Sequence, residues 1–600
     1  MTIDAQHTNQ GTLAAIESIA GADDMFAGLD AEARAAVEAE TQWTELRSGD
    51  TLFREGDAAD ALYVLVSGRL RVLVKGESGQ DSLVAEIGRG EAVGEMALLT
   101  GGPRSATVVA VRDSRLVRLS QAAFERFVQR CPRAMLLVTR RLVQRLQRTT
   151  RAPRTKGSQV TFAVVPLDAS VDAPALATAL VAELSTAGSA TLVTRARAEE
   201  QMMGASADAD RAARLTGWLD ALEREFHHVV YLGDPSVPEW TDRAARQADC
   251  LLFLAPGHTA PGRDAAAMVQ RSAQAPAARE LVLLHPAPFN PPRHTAAWLD
   301  ATGARMHYHV RAGQRPDIAR LARMLTGRGV GLALGGGGAR GFAHIGVIQA
   351  LLDAGIPIDA IGGTSMGAVL AAQYATGIGV AGMRALNRQH WIDQNPLKDK
   401  TLPVVALLAG RRLDRMIERM FGDVQIEDLW TTFFCVSADL TRAEMRVHRR
   451  GPLGRAARAS MSLPGIAIPV HDAGSMLVDG GLMNNVPADI MRELCGKVVA
   501  VDVSPEKDLV ISSPYPAAAS GWRLLWGRKA TNLPSIGAIL MRSVMLSSTR
   551  HQAAIAGDVD LYLHPPVERF GMFEWNALDA LADTGYTCAR ESLASAPALV

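Results

Sequence analysis

The chain has 600 residues, of which 48% are hydrophobic and 21% are charged, a composition that excludes a disordered or a fibrous protein. Its 63 basic and 63 acidic residues cancel to a formal net charge of zero, so overall basicity gives no argument for nucleic-acid binding. A chain of this length is too long for one hydrophobic core and predicts about two to four domains.

The cysteine pattern and the N-terminus bear on the compartment. The five cysteines are widely spaced and include no CxxC pair, which indicates reduced thiols. Residues 1–20 are predicted to be a flexible tail, without the basic start and apolar core of a signal peptide. No uncharged apolar run reaches about 18 residues, so no membrane-spanning helix is predicted. We expect a cytoplasmic protein that makes at most a peripheral contact with the inner face of the plasma membrane.

Residues 21–150 form the first predicted domain. From Leu46 onward, short apolar segments alternate with glycine-containing turns, which predicts a β-barrel or β-roll. An arginine-rich helix follows, from about residue 121 to residue 148. This helix has two interpretations: contact with an anionic lipid surface, or a solvated face that packs on the next domain.

A phosphate-binding segment is predicted within the β-rich domain, where residues 93–107 read VGEMALLTGGPRSAT. A short helix after Gly94 would present N–H groups to a cyclic phosphate, while Arg104 supplies a positive charge and Glu95 accepts from a ribose hydroxyl. The segment resembles the phosphate-binding cassette of cyclic nucleotide-binding domains. The resemblance assigns the nucleotide contacts to Gly94, Glu95, Ala97, Leu98, Arg104, Ser105 and Ala106.

The regulatory ligand implied by this resemblance is cAMP. Ala106 occupies the position where a threonine would favour cGMP. The alternative is a β-roll that serves only as a scaffold or a dimer surface.

Two further segments precede the catalytic motifs. Residues 151–158 are polar and contain proline and glycine, which predicts a linker. Residues 159–326 alternate apolar strands with helices, which predicts a parallel α/β domain. This domain has neither a phosphate-loop lysine motif nor GxSxG, so we describe it as a spacer. A nucleic-acid partner is not expected, because an α/β segment, not a helix-turn-helix, follows the β-rich domain.

A candidate nucleophile lies in the last domain, residues 327–600. The motif GTSMG at 363–367 stands between a predicted strand and a predicted helix. A sharp strand-to-helix turn would project Ser365 outward, and the flanking Gly363 and Gly367 allow a strained backbone and close packing. Ser365 is therefore the candidate nucleophile.

A glycine-rich loop, GGGGARG at 335–341, also follows a strand and precedes a helix. Successive glycines leave backbone N–H groups free to converge on an anion. Beside a nucleophilic serine, that anion is the oxyanion of a tetrahedral intermediate. The candidate oxyanion-hole residues are Gly336, Gly337 and Gly338.

The same loop also spells GxGxxG, the pattern of a dinucleotide-binding turn. That interpretation requires an acidic residue at the end of the next strand, about 20 residues on. Asp359 is near that distance but is predicted to start a strand. Arg340 has two candidate roles, bracing the loop or facing a lipid phosphate.

A candidate base lies in the DGG motif that begins at Asp479. A partly buried carboxylate takes a proton from serine when its pKa is raised, and Gly480 would let it approach closely. The alternatives are an ordinary turn at DGG and a Ser–His–Asp triad completed by His551 or His564. His344, one turn into the helix after the glycine loop, is expected to be a packed helix residue.

Together the glycine loop, GTSMG, ASMSLP at 459–464 and DGG followed by NNVP at 484–487 resemble the patatin-like phospholipase family. The resemblance covers roughly residues 330–500. It implies a doubly wound α/β layer fold, a Ser365–Asp479 dyad without a histidine, and an oxyanion hole at 336–338. It also implies hydrolysis of a fatty acyl ester in a phospholipid or lysophospholipid, with no metal and no required cofactor.

The C-terminal sequence resembles the neuropathy target esterase branch of that family, which also places nucleotide-binding-type domains before the hydrolase. The branch's usual N-terminal membrane anchor is not evident, and one nucleotide-binding-type module is found. Aromatic and basic residues around Trp522 and Trp526 suit either a membrane interface or packing.

The sequence thus predicts a multidomain serine esterase: a cyclic nucleotide-binding-like β-roll, a middle α/β domain and a patatin-like α/β hydrolase. The alternative is a cyclic-nucleotide sensor with an inert hydrolase domain.

Overall fold

The computed structural model describes residues 40–75, 81–130, 161–203, 208–272, 277–504 and 557–595. The chain divides into two compact units. The first contains Met1–Pro256, Ala260–Leu284 and Trp298–Met306, and the second contains Gly257–Thr259, His285–Ala297 and His307–Val600.

The first unit opens with the predicted β-roll, built from two four-stranded antiparallel sheets in the orders β1–β8–β3–β6 and β2–β7–β4–β5. The apolar segment ALYVLVS is wholly buried as strand β3 and forms the centre of a small core. The elements are β1 (Thr41–Leu46), β2 (Thr51–Phe53), β3 (Ala61–Ser67), β4 (Leu70–Lys75), β5 (Asp81–Ile87), β6 (Ala92–Val93), β7 (Thr107–Ala110), β8 (Ser114–Ser120) and the helices α1 (Glu95–Thr100) and α2 (Gln121–Arg130).

The parallel α/β segment follows, as predicted. In the first unit its strands run in the order β10–β11–β9–β12–β13, all parallel. Strand β12 is completely buried, as expected for a parallel strand covered on both faces. The strands are β9 (Thr161–Pro166), β10 (Ala190–Val193), β11 (His228–Leu232), β12 (Cys250–Pro256) and β13 (Ala278–His285). The helices are α3 (Ala173–Leu184), α4 (Arg195–Gln201), α5 (Asp208–Glu225), α6 (Pro238–Gln247), α7 (Arg263–Ser272) and α8 (Thr295–Thr302).

Buried ion pairs join the β-roll to the α/β segment within the first unit. The Arg112 side chain, 3% exposed, pairs with Glu223 and, at 3.1 Å, with Asp249. Arg69 reaches the same Asp249 oxygen at 2.9 Å, and Tyr231 donates its hydroxyl to Glu223. Removing one member of such a cluster strands a buried charge, at a cost of about 3–5 kcal/mol. The two segments are therefore held together by charges that depend on one another.

The second unit contains an eight-stranded mixed sheet in the order β19–β20–β17–β16–β15–β21–β22, with β18 paired to β17. Strands β16, β15, β21 and β22 are parallel to β17, whereas β18 and β20 run antiparallel to it. The strands of this sheet are β15 (Val330–Leu334), β16 (Ala360–Thr364), β17 (Thr432–Asp439), β18 (Glu444–His448), β19 (Val470–Asp472), β20 (Ser475–Asp479), β21 (Lys497–Val501) and β22 (Leu561–Leu563), and β14 (Met306–Arg311) is not part of it.

Helices cover this sheet and bury its central strands. The predicted helices after the glycine loop and after GTSMG are found as α10 and α11. The helices are α9 (Arg315–Leu325), α10 (Ala343–Asp353), α11 (Met366–Ala375), α12 (Val380–Asn387), α13 (Arg411–Phe421), α14 (Leu453–Ser460), α15 (Ala488–Leu494) and α16 (Leu578–Ser595). Within the described residues, no helix combines the length and the apolar character that crossing a bilayer requires.

Candidate active site

Ser365 occupies a sharp turn between strand β16, which ends at Thr364, and helix α11. Its backbone has φ 56° and ψ −123°, a conformation that costs an ordinary residue free energy and is typical of functional turns. A Cβ added to Gly363 would lie 2.6 Å from the Leu334 carbonyl oxygen, and one added to Gly367 would lie 2.3 Å from it. Both glycines are therefore required for the turn to pack against β15.

The turn is also held by Ser460, the last residue of helix α14. The fully buried Ser460 hydroxyl accepts the Ser365 backbone N–H at 3.0 Å and donates to the Val436 carbonyl at 2.7 Å. In the sequence, Ser460 is recognisable only as part of the motif ASMSLP. Its partner lies 95 residues away, so no local signal identifies this role.

Strand register brings Asp479 to the serine. Thr364 lies opposite Val436 on β17, and the next residue of β17, Ser437, lies opposite Asp479 on β20. A Cβ on Gly480 would lie 2.3 Å from the Val436 carbonyl oxygen, so a larger residue at this position would push β20 away. The two side chains, 114 positions apart in the printed sequence, meet across one strand.

The carboxyl group of Asp479 is almost fully buried, with 3% of the residue exposed. Burial raises the pKa of Asp479 to about 6, while hydrogen bonds from the Ser365 hydroxyl and the Gly481 backbone N–H oppose that rise. The Gly481 bond is 2.8 Å long. The carboxylate is thus ionised at neutral pH and more basic than an ordinary aspartate, as a base for serine must be.

The glycine loop passes directly over Ser365. A Cβ on Gly336 would lie 3.0 Å from the Ser365 Cβ, so only glycine allows this approach. Within the described part of the chain, the backbone N–H groups of Gly337 and Gly338 have no hydrogen-bond partner. Two free donors above a serine hydroxyl are the geometry of an oxyanion hole.

Gly336 differs from its expected role as a donor. Its N–H is bonded to the Asn485 carbonyl at 3.2 Å, and its own carbonyl accepts from the Asn485 side-chain amide at 3.1 Å. Asn485 therefore clamps the Gly336 peptide on both sides, and the N–H is not free for an oxyanion. Gly336 positions the loop, and Gly337 and Gly338 present the free donors.

Two polar side chains brace the loop from behind. His344 is fully buried and its Nε2 is 2.7 Å from the Gly335 carbonyl oxygen. Burial lowers the pKa of His344 to about 4, so the ring is neutral and donates to that carbonyl. Arg340 Nε donates to the Phe570 carbonyl at 2.8 Å, a contact that suits the role of bracing the loop.

The histidine alternatives find no support in the geometry. His551 lies outside the described residues, and His564 is 3.4 Å from Glu568. Among the described residues that line the cleft around Ser365, none is a histidine. Asp359, needed for the dinucleotide interpretation, precedes β16 at the opposite end from the glycine loop and pairs with Arg323 at 2.7 Å.

Ser365 and Asp479 lie at the base of a cleft of about 830 Å³, including its open mouth. Most of its lining side chains are apolar. They come from the start of α11, from the sequence between α12 and the first turn of α13, from the segment after α14, from the turn after β20 and from the segment before α16. They are Met366, Trp391, Leu397, Leu408, Leu413, Met461, Leu463, Ile466, Ala467, Leu482, Met572, Phe573 and Trp575. Such a wall accepts an acyl chain and excludes water from the reacting atoms.

The oxyanion loop can be tested at Gly338, which has φ +61°. A Cβ there would lie 2.4 Å from the Met572 carbonyl oxygen and would displace the donor. We expect Gly338→Ala to lower kcat by about 10²–10³-fold. The matched control is Gly355→Ala, which has φ +73° but open space around the new Cβ. Equal kcat values for the two variants would contradict the assignment.

In the predicted nucleotide-binding segment, Arg104 is bonded to protein groups and is not free for a phosphate. Gly94, with φ 85°, precedes helix α1, but the buried Arg104 guanidinium is already engaged. It donates to the Gly94 carbonyl at 3.1 Å, to the Ala61 carbonyl at 2.8 Å and to the Asp60 carboxylate at 3.0 Å. Arg104 also lies 4.2 Å above the ring of Phe53. A cyclic phosphate would have to compete with Asp60 for this cation.

The other residues predicted to contact a nucleotide differ in their exposure. Glu95, Ala97 and Ala106 are buried, Leu98 is half-buried and Ser105 is exposed. The residues beyond 130, for which a basic helix was predicted, and the segment around Trp522 lie outside the described residues.

Comparison with known proteins defines the class. The family model "Patatin-like phospholipase" matches residues 332–492, which include the glycine loop, Ser365 and Asp479. "Neuropathy Target Esterase family P-loop like domain" matches residues 158–323, and "Cyclic nucleotide-binding domain" matches residues 43–131. Together the three matches cover more than half of the chain.

Three curated relatives align with more than nine-tenths of this chain. Patatin-like phospholipase domain-containing protein 6 of Homo sapiens is 34% identical over 91% of this chain and 44% of its own length. Neuropathy target esterase sws of Drosophila melanogaster is 31% identical, over 92% of this chain and 42% of its length. Lysophospholipase nte1 of Aspergillus fumigatus is 30% identical, with the same coverages. The chain belongs to the neuropathy target esterase family of patatin-like phospholipases, and spans less than half the length of these relatives.

The family and the fold class inferred from the motifs are thereby confirmed. The middle α/β segment, for which the sequence indicated no function, matches a domain model named for this family. The domain boundaries drawn at 20, 150, 158 and 326 remain predictions.

Proposed function

We propose that this protein is a serine esterase that releases a fatty acid from a phospholipid or a lysophospholipid. The observation that supports the proposal most directly is that strand register brings Asp479 to Ser365 in one cleft. Burial raises the pKa of the Asp479 carboxyl to about 6, against the opposing effect of the nearby Ser365 hydroxyl. A carboxylate of raised basicity beside a strained serine, at the base of an apolar cleft, suits acyl transfer.

In the first half of the reaction, Asp479 takes the proton of the Ser365 hydroxyl as Oγ attacks the acyl carbonyl carbon. The carbonyl oxygen becomes negative and accepts hydrogen bonds from the Gly337 and Gly338 N–H groups. When the intermediate collapses, the proton on Asp479 passes to the departing alcohol oxygen. The acyl group is then bound to Ser365 as an ester.

In the second half, a water molecule attacks that ester with Asp479 again acting as the base. The same two N–H groups bind the new oxyanion. Collapse returns the proton from Asp479 to Ser365 Oγ and releases the fatty acid. The two halves use the same groups, and no metal or organic cofactor takes part in the proposed steps.

The direct test is analysis of lipid products by mass spectrometry. Wild-type protein should release free fatty acid from lysophosphatidylcholine or phosphatidylcholine and leave the phosphodiester intact. Release of the phosphorylated headgroup, with the acyl esters untouched, would contradict the proposal. The ratio of the two substrates' rates would also give the preference between phospholipid and lysophospholipid.

We also propose that the β-roll binds cAMP as a regulatory ligand, and that the phosphate displaces Asp60 from Arg104. Arg104 is buried with Asp60 as its counterion, and Asp60 is 59% exposed, so its carboxylate can move out into water. The match to the cyclic nucleotide-binding domain model over residues 43–131 supports the ligand class.

Calorimetry can test this proposal with two variants, one expected to weaken cAMP binding and one expected to strengthen it. Arg104→Ala should weaken cAMP binding by about tenfold or more, because it removes a charge-assisted hydrogen bond. Asp60→Asn should strengthen binding, because the competing negative charge is gone. Absence of binding heat with millimolar cAMP in a folded wild-type protein would leave the β-roll as a scaffold.

We place the protein in the cytoplasm. The described residues contain free thiols at Cys250, Cys435 and Cys495, all buried, and at Cys588, in keeping with a reducing compartment.

A further inference from the structure

One short segment of the second unit is unusually exposed and apolar. In residues 402–407, Leu402 is 79% exposed, Val404 is 82%, Val405 is 65% and Leu407 is 53%. Single exposed apolar side chains are ordinary on a protein surface, but several within six residues form a patch. We refer to residues 402–407 as the apolar loop.

The apolar loop is exposed although its backbone is fixed. The Thr401 N–H donates to the Leu407 carbonyl at 3.0 Å, which closes the loop on itself. The Leu407 and Leu408 N–H groups donate to the carbonyls of Gly465 and Ile466 at 2.9 and 3.0 Å. The fold therefore holds these side chains out in water, where they gain nothing from folding.

The apolar loop lies at the rim of the cleft that contains Ser365. Leu408, the residue directly after the loop, is 6% exposed and lines the cleft, as does its hydrogen-bond partner Ile466. Phe573 also lines the cleft and is 48% exposed. The apolar surface thus continues from the loop over the rim toward the nucleophile.

Positive charges flank the apolar loop in the sequence. Five exposed cations surround it, and none of them forms an ion pair within the described residues: Lys398, Lys400, Arg411, Arg412 and Arg415. Two nearby acids are already engaged, since Asp399 accepts the Arg412 backbone N–H and Asp414 pairs with Arg458. The cations are left to interact with an external anion.

We propose that the apolar loop inserts into the headgroup boundary of a membrane that contains anionic lipid, while the flanking cations contact the lipid phosphates. An amphipathic surface of this kind binds bilayers by apolar burial together with attraction to anionic lipid. A lipid could then pass from the leaflet along the apolar rim to Ser365 without its acyl chain entering water. The inference rests on the proposed lipid esterase function and adds its route of substrate entry.

The charges favour a bilayer over a second copy of this chain as the partner. A symmetric contact between two copies pairs the same patch with itself. Such a contact at the apolar loop would bring the two sets of cations together, and like charges at close range repel. Anionic headgroups satisfy the same cations.

The test is co-sedimentation of the full chain with vesicles of phosphatidylcholine alone or mixed with phosphatidylglycerol. We expect the triple variant Leu402→Ser, Val404→Ser, Val405→Ser to bind mixed vesicles about tenfold more weakly than wild type. The double variant Lys398→Gln, Lys400→Gln should lose only the preference for phosphatidylglycerol. The matched control is Leu440→Ser, Met476→Ser, which changes residues 50% and 49% exposed elsewhere on the unit and should bind as wild type.

Hydrolysis of a water-soluble short-chain ester, run in parallel, separates the two proposals. The triple variant should hydrolyse the soluble ester at the wild-type rate and lose hydrolysis of vesicle phospholipid. A wild-type protein inactive on every ester would overturn the esterase function itself. Wild-type ester hydrolysis with unchanged vesicle binding by the triple variant would overturn the role of the loop. A wild-type dimer that the triple variant converts to monomer without lipid would show instead that the patch joins two copies.

Discussion

Replacing Ser365 with alanine is expected to reduce kcat/KM for ester hydrolysis by about 10⁴-fold or more. Loss of a serine nucleophile removes the covalent route, and only substrate binding and the proposed oxyanion hole remain to lower the barrier. The change deletes one oxygen atom and leaves the backbone at φ 56° and the Ser460 bond in place. The variant should therefore fold like the wild type, and a short-chain chromogenic ester assay will measure the loss.

A matched serine controls for nonspecific effects of this substitution. Ser592 lies on helix α16 and donates to the Cys588 carbonyl at 2.8 Å, away from the cleft lining. Ser592→Ala should retain wild-type activity. If Ser365→Ala and wild type hydrolyse the ester equally, another residue is the nucleophile. If neither is active, the sensor interpretation, in which the hydrolase domain is inert, is favoured.

Replacing Asp479 with asparagine is expected to lower kcat/KM by about 10³–10⁴-fold, because an amide cannot take the Ser365 proton. The matched control is Asp472→Asn on strand β19, where the carboxylate is partly exposed and pairs with Arg446 and Arg455. That variant should remain active. In the wild type, kcat/KM should fall as pH decreases through about 6, the pKa of Asp479, because the protonated carboxyl is no longer a base.

The same substitution should change stability in a pH-dependent manner. A carboxyl group whose pKa is higher in the folded state than in the unfolded state stabilises the fold at low pH, and that contribution is lost as pH rises through the folded pKa. With a folded pKa of about 6, the wild type should lose about 2 kcal/mol from this group between pH 4.5 and 7.5. Asparagine does not ionise and avoids the loss.

Differential scanning calorimetry can measure this effect without reference to activity. The Tm of Asp479→Asn relative to wild type should increase between pH 4.5 and pH 7.5. A Tm difference that stays constant over that interval would show that Asp479 titrates normally and is not buried as described. The Asp472→Asn variant is the matched control, because it carries the same change at a partly exposed carboxylate.

The parts of the site that the sequence predicted are those with local signals. GTSMG between an apolar strand and a helix predicts the turn at Ser365, since glycine is required where backbones approach within 2.3–2.6 Å of an added Cβ. The DGG motif similarly predicts a close approach at Gly480. These motifs place functional residues at the ends of strands, and sheet order then brings them together.

The parts that the sequence did not predict depend on contacts between distant residues. Asn485 clamps Gly336 across 149 positions, and this contact decides which loop N–H groups are free. Similarly, Arg104 pairs with Asp60, although the sequence motif predicts that Arg104 binds a phosphate. A motif specifies which groups are present, but the folded environment determines which of them are already satisfied.

Covalent labelling with an alkyl fluorophosphonate, followed by peptide mass spectrometry, tests most directly whether Ser365 and Asp479 act together. The phosphorus adduct should be found on Ser365, and Asp479→Asn should slow its formation by orders of magnitude, because the hydroxyl then has no base. An adduct on a different residue, or labelling of Ser365 at the same rate in Asp479→Asn, would contradict the proposed dyad.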